Sequence, residues 1–174
     1  MTESGRVTVS GESYGFGYPT TPGVPGPVPN GGQTDGVVTT MDLLLAGVTE
    51  YGGSAPACMG LLRMGVTEMP AAGASGFSVY CSGAPPLAAG IVVVGQPNPQ
   101  RTSVFGASLL IRPARPWTSI PVLSGVDGYV ETPLSLRTAI AGAQFACQYL
   151  FQNTAACGGT GSWSSSNALT ITVQ

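Results

Sequence analysis

The chain contains no histidine and no lysine, and charged residues make up only 8% of its 174 residues. Without histidine, the Ser-His-Asp and Cys-His catalytic sets lack their base, and the commonest zinc ligand is missing. Without lysine, neither Schiff-base chemistry nor the phosphate-binding lysine of a P-loop is available. The composition therefore predicts a protein that is not an enzyme and carries no cofactor.

Positive charge is also scarce. The six arginines are scattered, the net charge is -2 and the pI is near 4.8, so no basic stripe could neutralise a run of phosphates. Nucleic acid is therefore not an expected partner. No apolar run reaches the length of about 18 residues that spans a bilayer, so no transmembrane segment is expected. The first residues, MTESGRVTVSGESYGFG, lack the basic and apolar regions of a signal peptide.

Glycine and proline are abundant instead, with 26 and 15 copies. From residue 55 onward, short apolar runs recur at regular spacing between Pro/Gly turns, which is typical of an antiparallel sandwich. We predict an all-β, immunoglobulin-like antiparallel β-sandwich of seven or eight strands, with at most a single helical turn within 134–143. The predicted strands lie near 60–67, 76–82, 89–95, 107–112, 118–123, 128–136, 144–151 and 167–173.

Alternation within these runs predicts which side chains face the core. Leu169, Ile171 and Val173 share one face of the last strand, as a half-buried strand requires. The same period places Cys147 with its apolar neighbours two residues away. The run IVVV at 91–94 does not alternate, so it is expected in a central strand that is covered on both faces.

Residues 1–54 have a different character. They hold a short alternating run, RVTVS from Arg6 to Ser10, followed by five prolines between residues 19 and 29. Proline at this density forbids a regular ladder and favours extended chain. We therefore predict two regions, an amino-terminal arm or linker over 1–54 and the sandwich domain over 55–174.

The four cysteines contain no CxxC pair, which argues against a redox motif or a zinc ribbon. An even count predicts two disulfides and an oxidising compartment, with free buried thiols as the alternative. Two pairings remain open. One joins Cys81 to Cys147 across the two sheets, and the other is local, joining Cys58 to Cys81 and Cys147 to Cys157.

Several stretches from Tyr51 to the end carry a family resemblance: YGGSAPACMG, SGAPPLAAGIVVVG, LLIRP, AGAQFACQY and SNALTIT. Together they resemble the C-terminal β-sandwich module of large secreted bacterial proteins. The resemblance implies a β-sandwich without known catalysis that serves as an extracellular module. Cys81, Cys147, Cys157 and the arm before Tyr51 depart from that pattern.

An octet occurs twice in similar form, as LLLAGVTE at 43–50 and LLRMGVTE at 61–68. Because edge strands can pair with another chain, the first copy or the run RVTVS could be donated to a neighbouring subunit. The residues expected to mediate such assembly are Val7, Val9, Leu43, Leu45 and Val48. This predicts a structural subunit of an extracellular or cell-surface filament, sheath or layer, with copies of itself or other surface proteins as partners.

Two alternative functions remain open at this stage. A virion decoration or tail protein is consistent with the absence of a visible signal peptide. A carbohydrate-binding adhesive module would use Trp117 and Trp163, since exposed aromatic faces stack on sugars. Asp127 and Glu131 form the closest carboxylate pair on a predicted strand face, but the sequence places them at a turn and on a solvated face, so neither catalysis nor calcium binding is expected.

Overall fold

The computed structural model describes residues 6–13, 35–42, 45–154 and 162–174. The chain divides into two compact units, Met1–Leu44 and Leu45–Gln174. The division therefore lies ten residues before the end of the predicted arm, because the segment just after Leu45 belongs to the second unit.

The described residues of the first unit form two strands, β1 (Arg6–Ser13) and β2 (Asp35–Asp42). They pair antiparallel over their full length, from Arg6 opposite Asp42 to Ser13 opposite Asp35. The alternating run at Arg6–Ser10 therefore forms a strand, as its period indicated. Its partner, β2, was not predicted, since DGVVTTMD carries only a short apolar run.

In the second unit, residues 45–154 and 162–174 form ten strands and one 3-10 turn, η1 (Thr138–Ile140). The strands are β3 (Val48–Tyr51), β4 (Pro56–Ala57), β5 (Gly60–Leu61), β6 (Arg63–Val66), β7 (Ser78–Ser82), β8 (Ala89–Val104), β9 (Ala107–Leu123), β10 (Val130–Pro133), β11 (Gln144–Gln152) and β12 (Trp163–Thr172). One sheet has the order β3-β12-β11-β8-β9 and another has the order β10-β7-β6, while β4 and β5 form a small ladder. All recorded pairs are antiparallel.

The two larger sheets share one hydrophobic core. Met64, Val79 and Cys81 from the three-stranded sheet belong to the same buried cluster as Cys147 and Ile171 from the five-stranded sheet. Each of these residues follows the period of two in its own strand, so alternate side chains reach this core. The predicted all-β class and the predicted inward faces of β11 and β12 are confirmed.

The opposite face of the five-stranded sheet is also covered. Strands β8 and β9 form one long hairpin whose register shifts between Val94 and Thr102. Beyond these shifts, Leu109 and Ile111 pack on Val93 and Leu150 in a second buried cluster. The distal half of the hairpin therefore lies over the sheet that its proximal half belongs to, and IVVV is buried on both faces as predicted.

One detail of the strand prediction changes. The runs 107–112 and 118–123 are parts of the single strand β9, although three prolines, at 113, 116 and 121, fall within it. An edge strand accommodates proline, because no ladder bond is needed on its outer side, and β9 lies at the edge of its sheet. The single turn expected within 134–143 is present as η1.

Candidate functional site

The folded-back part of the β8–β9 hairpin is fixed by one buried amide. Gln148 is fully buried; its Oε1 accepts a hydrogen bond from the Leu110 N–H at 2.8 Å. Its Nε2 donates to the carbonyls of Ser108 and Ser166, each at 2.9 Å. One side chain therefore joins β11 to β12 and to the hairpin above them, and all three of its hydrogen bonds are to backbone groups.

A second contact fixes the same hairpin from β3. The Tyr51 hydroxyl donates to the Leu110 carbonyl at 2.8 Å. Gly52 has a φ of +70°, and a Cβ there would lie 2.3 Å from Leu110 Cδ1. Sequence reasoning missed this arrangement, and its only signal was a glutamine within the apolar run FACQYLF.

The predicted sugar-stacking residue Trp163 packs against the tip of this hairpin. Its ring stacks on Phe105 with centroids 5.8 Å apart, and Trp163 packs against the second buried cluster. Phe105 is 72% exposed and has a φ of 51° in the turn before Gly106, a backbone conformation that a bulky residue seldom adopts. Trp117 lies in β9, but its side chain is outside the described residues, so sugar stacking by these two residues stays a prediction.

A second aromatic pair lies on the outer face of the three-stranded sheet. Tyr80 and Tyr129 stack with centroids 5.9 Å apart and an angle of 25° between the rings. Tyr80 is opposite Gly65 on β6 and opposite Glu131 on β10, so Glu131, Tyr80 and Gly65 form one row across the sheet. The Tyr129 hydroxyl donates a hydrogen bond to Glu131 Oε2 at 3.2 Å.

The carboxylates of Asp127 and Glu131 both accept hydrogen bonds from Tyr129. Asp127 Oδ1 accepts a hydrogen bond from the Tyr129 N–H at 3.1 Å, so Asp127 shapes the turn that the sequence predicted. Burial, together with Glu131 and Asp127, raises the pKa of the Tyr129 hydroxyl above its usual value. Among the described residues, no group of three or more acidic or sulfur side chains could hold a metal ion.

Proline and short strand length help to protect the free edges of the two sheets. Three prolines fall within β9, while β3, β6 and β10 have only four residues each. At β6, the Met64 N–H donates to Asn167 Oδ1 at 2.8 Å, and Asn167 Nδ2 donates to the Met64 carbonyl at 3.4 Å. Asn167 comes from β12 of the other sheet and occupies the backbone groups that an added strand would use.

The residues expected to mediate assembly are found in different places. Val7 and Val9 lie in β1, paired with β2. Val48 is buried in β3, where it lies opposite Ile171 of β12. Leu45 precedes β3 and is partly exposed, while Leu43 lies outside the described residues. Val48 is thus already paired within its own sheet and is not free for donation.

The two similar octets have different structural roles. Residues Val48–Glu50 of the first octet belong to β3, at one edge of the five-stranded sheet. The second octet contributes Leu61 to β5 and Arg63–Val66 to β6, at one edge of the three-stranded sheet. The first copy therefore does not occupy a slot equivalent to the second.

Both predicted disulfide pairings are wrong, because Cys81 and Cys147 are free thiols. They lie in the shared core, where a thiol behaves as a small apolar side chain. Cys58 is disulfide-bonded, and Cys157 lies outside the described residues. The alternative of buried free thiols therefore holds for two of the four cysteines.

Burial also affects the titration of the core groups. It raises the pKa of the Cys81 thiol to about 12 and raises the pKa of Cys147 further. The pKa of Tyr149 is raised as well, chiefly by burial; its hydroxyl donates to the Val79 carbonyl at 2.9 Å and lies 2.9 Å from Thr132 Oγ1. Tyr149 thus links β11 to the opposite sheet, and these groups stay protonated at neutral pH.

Comparisons with known proteins found no matching family model, no similar curated protein and no similar solved structure. The resemblance to a secreted bacterial module is therefore not tested by them. No helix in the described part of the chain is long and apolar enough to cross a membrane.

Proposed function

We propose that this chain is a non-enzymatic structural subunit of an extracellular or cell-surface assembly, and that the β1–β2 ribbon connects neighbouring copies. The ribbon is the observation that carries the proposal. In the described residues, β1 and β2 pair with each other and with no other strand. An isolated two-stranded ribbon is marginally stable in water, so a ribbon of eight residue pairs gains from a partner.

The side chains of the ribbon support this role. Val9 is 50% exposed and Val38 is 70% exposed. Val9 lies opposite Thr39, and Val38 lies opposite Ser10, so the two valines are on opposite faces of the ribbon. Each face therefore offers apolar area to a second copy. Because the ribbon of one copy would meet a different surface of the next, the contact would not close on itself and would build a filament or layer.

The proposed mode differs from donation of the repeated octet. The edge of β6 is occupied by Asn167, the β9 edge contains three prolines, and β3 is part of its own sheet. These protections favour a separate element for association. We infer that the ribbon, and not a strand of the sandwich, is the connecting part.

We also propose that the second unit is an immunoglobulin-like sandwich. Its strands β6, β7 and β10 form one sheet, and β9, β8, β11 and β12 are consecutive neighbours in the other. This division of seven antiparallel strands, with β8 and β11 central, resembles the strand order of such domains. In that scheme β3 is an additional edge strand, and an extracellular module is the use that the sequence resemblance implies.

Negative-stain microscopy of the whole chain, with variants of the ribbon, tests the assembly role. We expect filaments or layers from the wild type and their loss in the double variant Val9→Glu, Val38→Glu, because charge on both faces prevents apolar docking. The matched control is Val126→Glu, which replaces a valine that is 75% exposed in the second unit. Assemblies that survive the double variant, or a wild type that stays monomeric, would contradict the proposal.

A further inference from the structure

We propose that the outer face of the three-stranded sheet binds a saccharide, with Tyr80 and Tyr129 as the stacking platform and Glu131 as a hydrogen-bonding residue. The two rings are inclined by 25° with centroids 5.9 Å apart, a separation typical of offset pairs. An offset pair leaves ring surface uncovered, and Tyr129 is 40% exposed. The result is a stepped aromatic surface open to solvent.

The chemistry of this surface matches a sugar ring. The faces of the tyrosine rings carry partial negative charge, which attracts the polarised C–H bonds on one side of a pyranose. The ring hydroxyl of Tyr129 and the carboxylate of Glu131 lie 3.2 Å apart and can both accept hydrogen bonds from sugar hydroxyls at the rim. A flat aromatic floor with polar groups beside it is the usual composition of a ligand site that fixes orientation.

The structural role of Tyr80 does not account for the whole arrangement. A Cβ at Gly65 would lie 2.4 Å from the Tyr80 ring, so Tyr80 covers the glycine of the edge strand and compensates for its missing side chain. The Tyr129 ring is not among the three nearest neighbours of a Cβ at any described glycine. Its backbone is positioned by Asp127, and its hydroxyl is oriented by Glu131, so the second ring is held in place while a large part of it stays exposed.

The charged groups beside the platform suit a polyol better than a purely apolar partner. Arg63 is exposed on β6, two residues before Gly65 and on the same face of the strand. Glu131 lies in the same row as Tyr80 and Gly65, so Arg63 and Glu131 place a positive and a negative group on one face of the sheet. A sugar can use both, because its hydroxyls accept from a guanidinium and donate to a carboxylate.

This site lies in the second unit, whereas the proposed assembly element lies in the first, so either proposal can fail without the other. An array of immobilised neutral and acidic oligosaccharides of two to six units is probed with the whole chain, and the strongest hit is titrated by calorimetry. We expect Tyr129→Ala to weaken binding about tenfold or more, because the exposed stacking surface is lost. Tyr129→Phe keeps the ring and should weaken binding less than Tyr129→Ala does.

Matched control variants test whether the saccharide binds at Tyr80 and Tyr129. Phe105→Ala removes the most exposed aromatic ring among the described residues, and Val9→Glu with Val38→Glu alters only the ribbon. Both variants should bind within about twofold of the wild type. Glu131→Gln, which keeps the shape of the side chain, should weaken binding by a few fold. Absence of any saccharide retained by the wild type would overturn the proposal. So would a hit that is lost with Phe105→Ala and kept with Tyr129→Ala.

Discussion

At the scale of single residues, Gln148 shows how one side chain holds a large element in place. It is a polar residue in an apolar strand, and its amide bonds three backbone groups of β9 and β12. Burying an amide is unfavourable unless its bonds are all made. The Gln148 amide therefore makes all of its hydrogen bonds only when the β8–β9 hairpin lies over the sheet.

Replacing Gln148 by alanine should lower the free energy of unfolding by about 2 to 4 kcal/mol, since the Leu110 N–H and the Ser108 and Ser166 carbonyls lose their partner. Urea unfolding followed by circular dichroism measures the change. Gln144, exposed on the same strand, provides the matched control, and Gln144→Ala should stay within about 0.5 kcal/mol. Equal effects of the two substitutions would show that the amide network is not what holds the hairpin.

The buried thiols and Tyr149 predict how stability depends on pH. Burial raises the pKa of Cys81 from 9.0 to about 12, so the unfolded chain loses this proton first as pH rises. The free energy of unfolding is then unaffected below pH 9 and falls between pH 9 and 12, by about 1.4 kcal/mol per pH unit for each such group. Urea midpoints at pH 8, 9 and 10.5 test this. Cys81→Ala should show a shallower decline, whereas a pH-independent midpoint would refute the burial of these groups.

At the scale of elements, local pattern predicts strands better than it predicts their bends. The period of two located β7, β11 and β12, and the non-alternating run 91–94 located the central strand β8. The extension of β8 and β9 and their fold over the sheet were missed, because Pro113 and Pro116 read as strand breakers and Pro97 as a turn. Whether proline ends a strand depends on its place at a sheet edge, which is a tertiary property.

The aromatic site at Tyr80 and Tyr129 was predicted less well, because it too depends on tertiary structure. The sequence suggested tryptophans as stacking residues, yet Trp163 packs on the second cluster and on Phe105. The pairing of Tyr80 with Tyr129 depends on the register between β7 and β10, which joins residues about fifty positions apart. No local pattern contains that register.

The two hydrogen bonds between Asn167 and the Met64 backbone should keep the β6 edge from pairing with another strand. Asn167→Ala would free the N–H and the carbonyl of Met64, so we expect about 1 to 3 kcal/mol of lost stability and an increased tendency of the sandwich to associate. Asn98, whose side-chain amide donates to Thr102, is the control, and Asn98→Ala should be nearly neutral. Urea unfolding combined with light scattering gives both readouts, and an Asn167→Ala protein that is as stable and as dispersed as the control would contradict the role.

At the scale of the whole molecule, the cysteines give a count that a single experiment can check. With Cys58 disulfide-bonded and Cys81 and Cys147 free and buried, the four cysteines of the sequence should divide into one bridge and two thiols. We expect no rapid thiol reaction in the native protein, two reactive thiols in denaturant, and four after reduction.

Peptide mapping locates the bridge. Trypsin cleaves after Arg6, Arg63 and Arg137. Alkylation in denaturant followed by digestion should therefore leave peptide 7–63 linked to peptide 138–174, with Cys81 and Cys147 alkylated. Four thiols before reduction, or a bridge that contains Cys81, would be inconsistent with the structure.

The boundary between the two units determines where a shortened chain should begin. Both buried clusters are formed by residues after Leu45, so residues 45–174 retain every strand of the two larger sheets. A deletion that extended to residue 50 would remove most of β3 and unpair part of β12. The shortened chain should therefore begin at Leu45.

Sedimentation velocity over a concentration series, comparing the whole chain with residues 45–174, tests most directly whether the ribbon connects subunits. The account predicts species larger than the 17.5 kDa monomer for the whole chain, growing with concentration, and a folded monomer at all concentrations for residues 45–174. Equal association of the two proteins, or a whole chain that sediments only as a monomer, would contradict it.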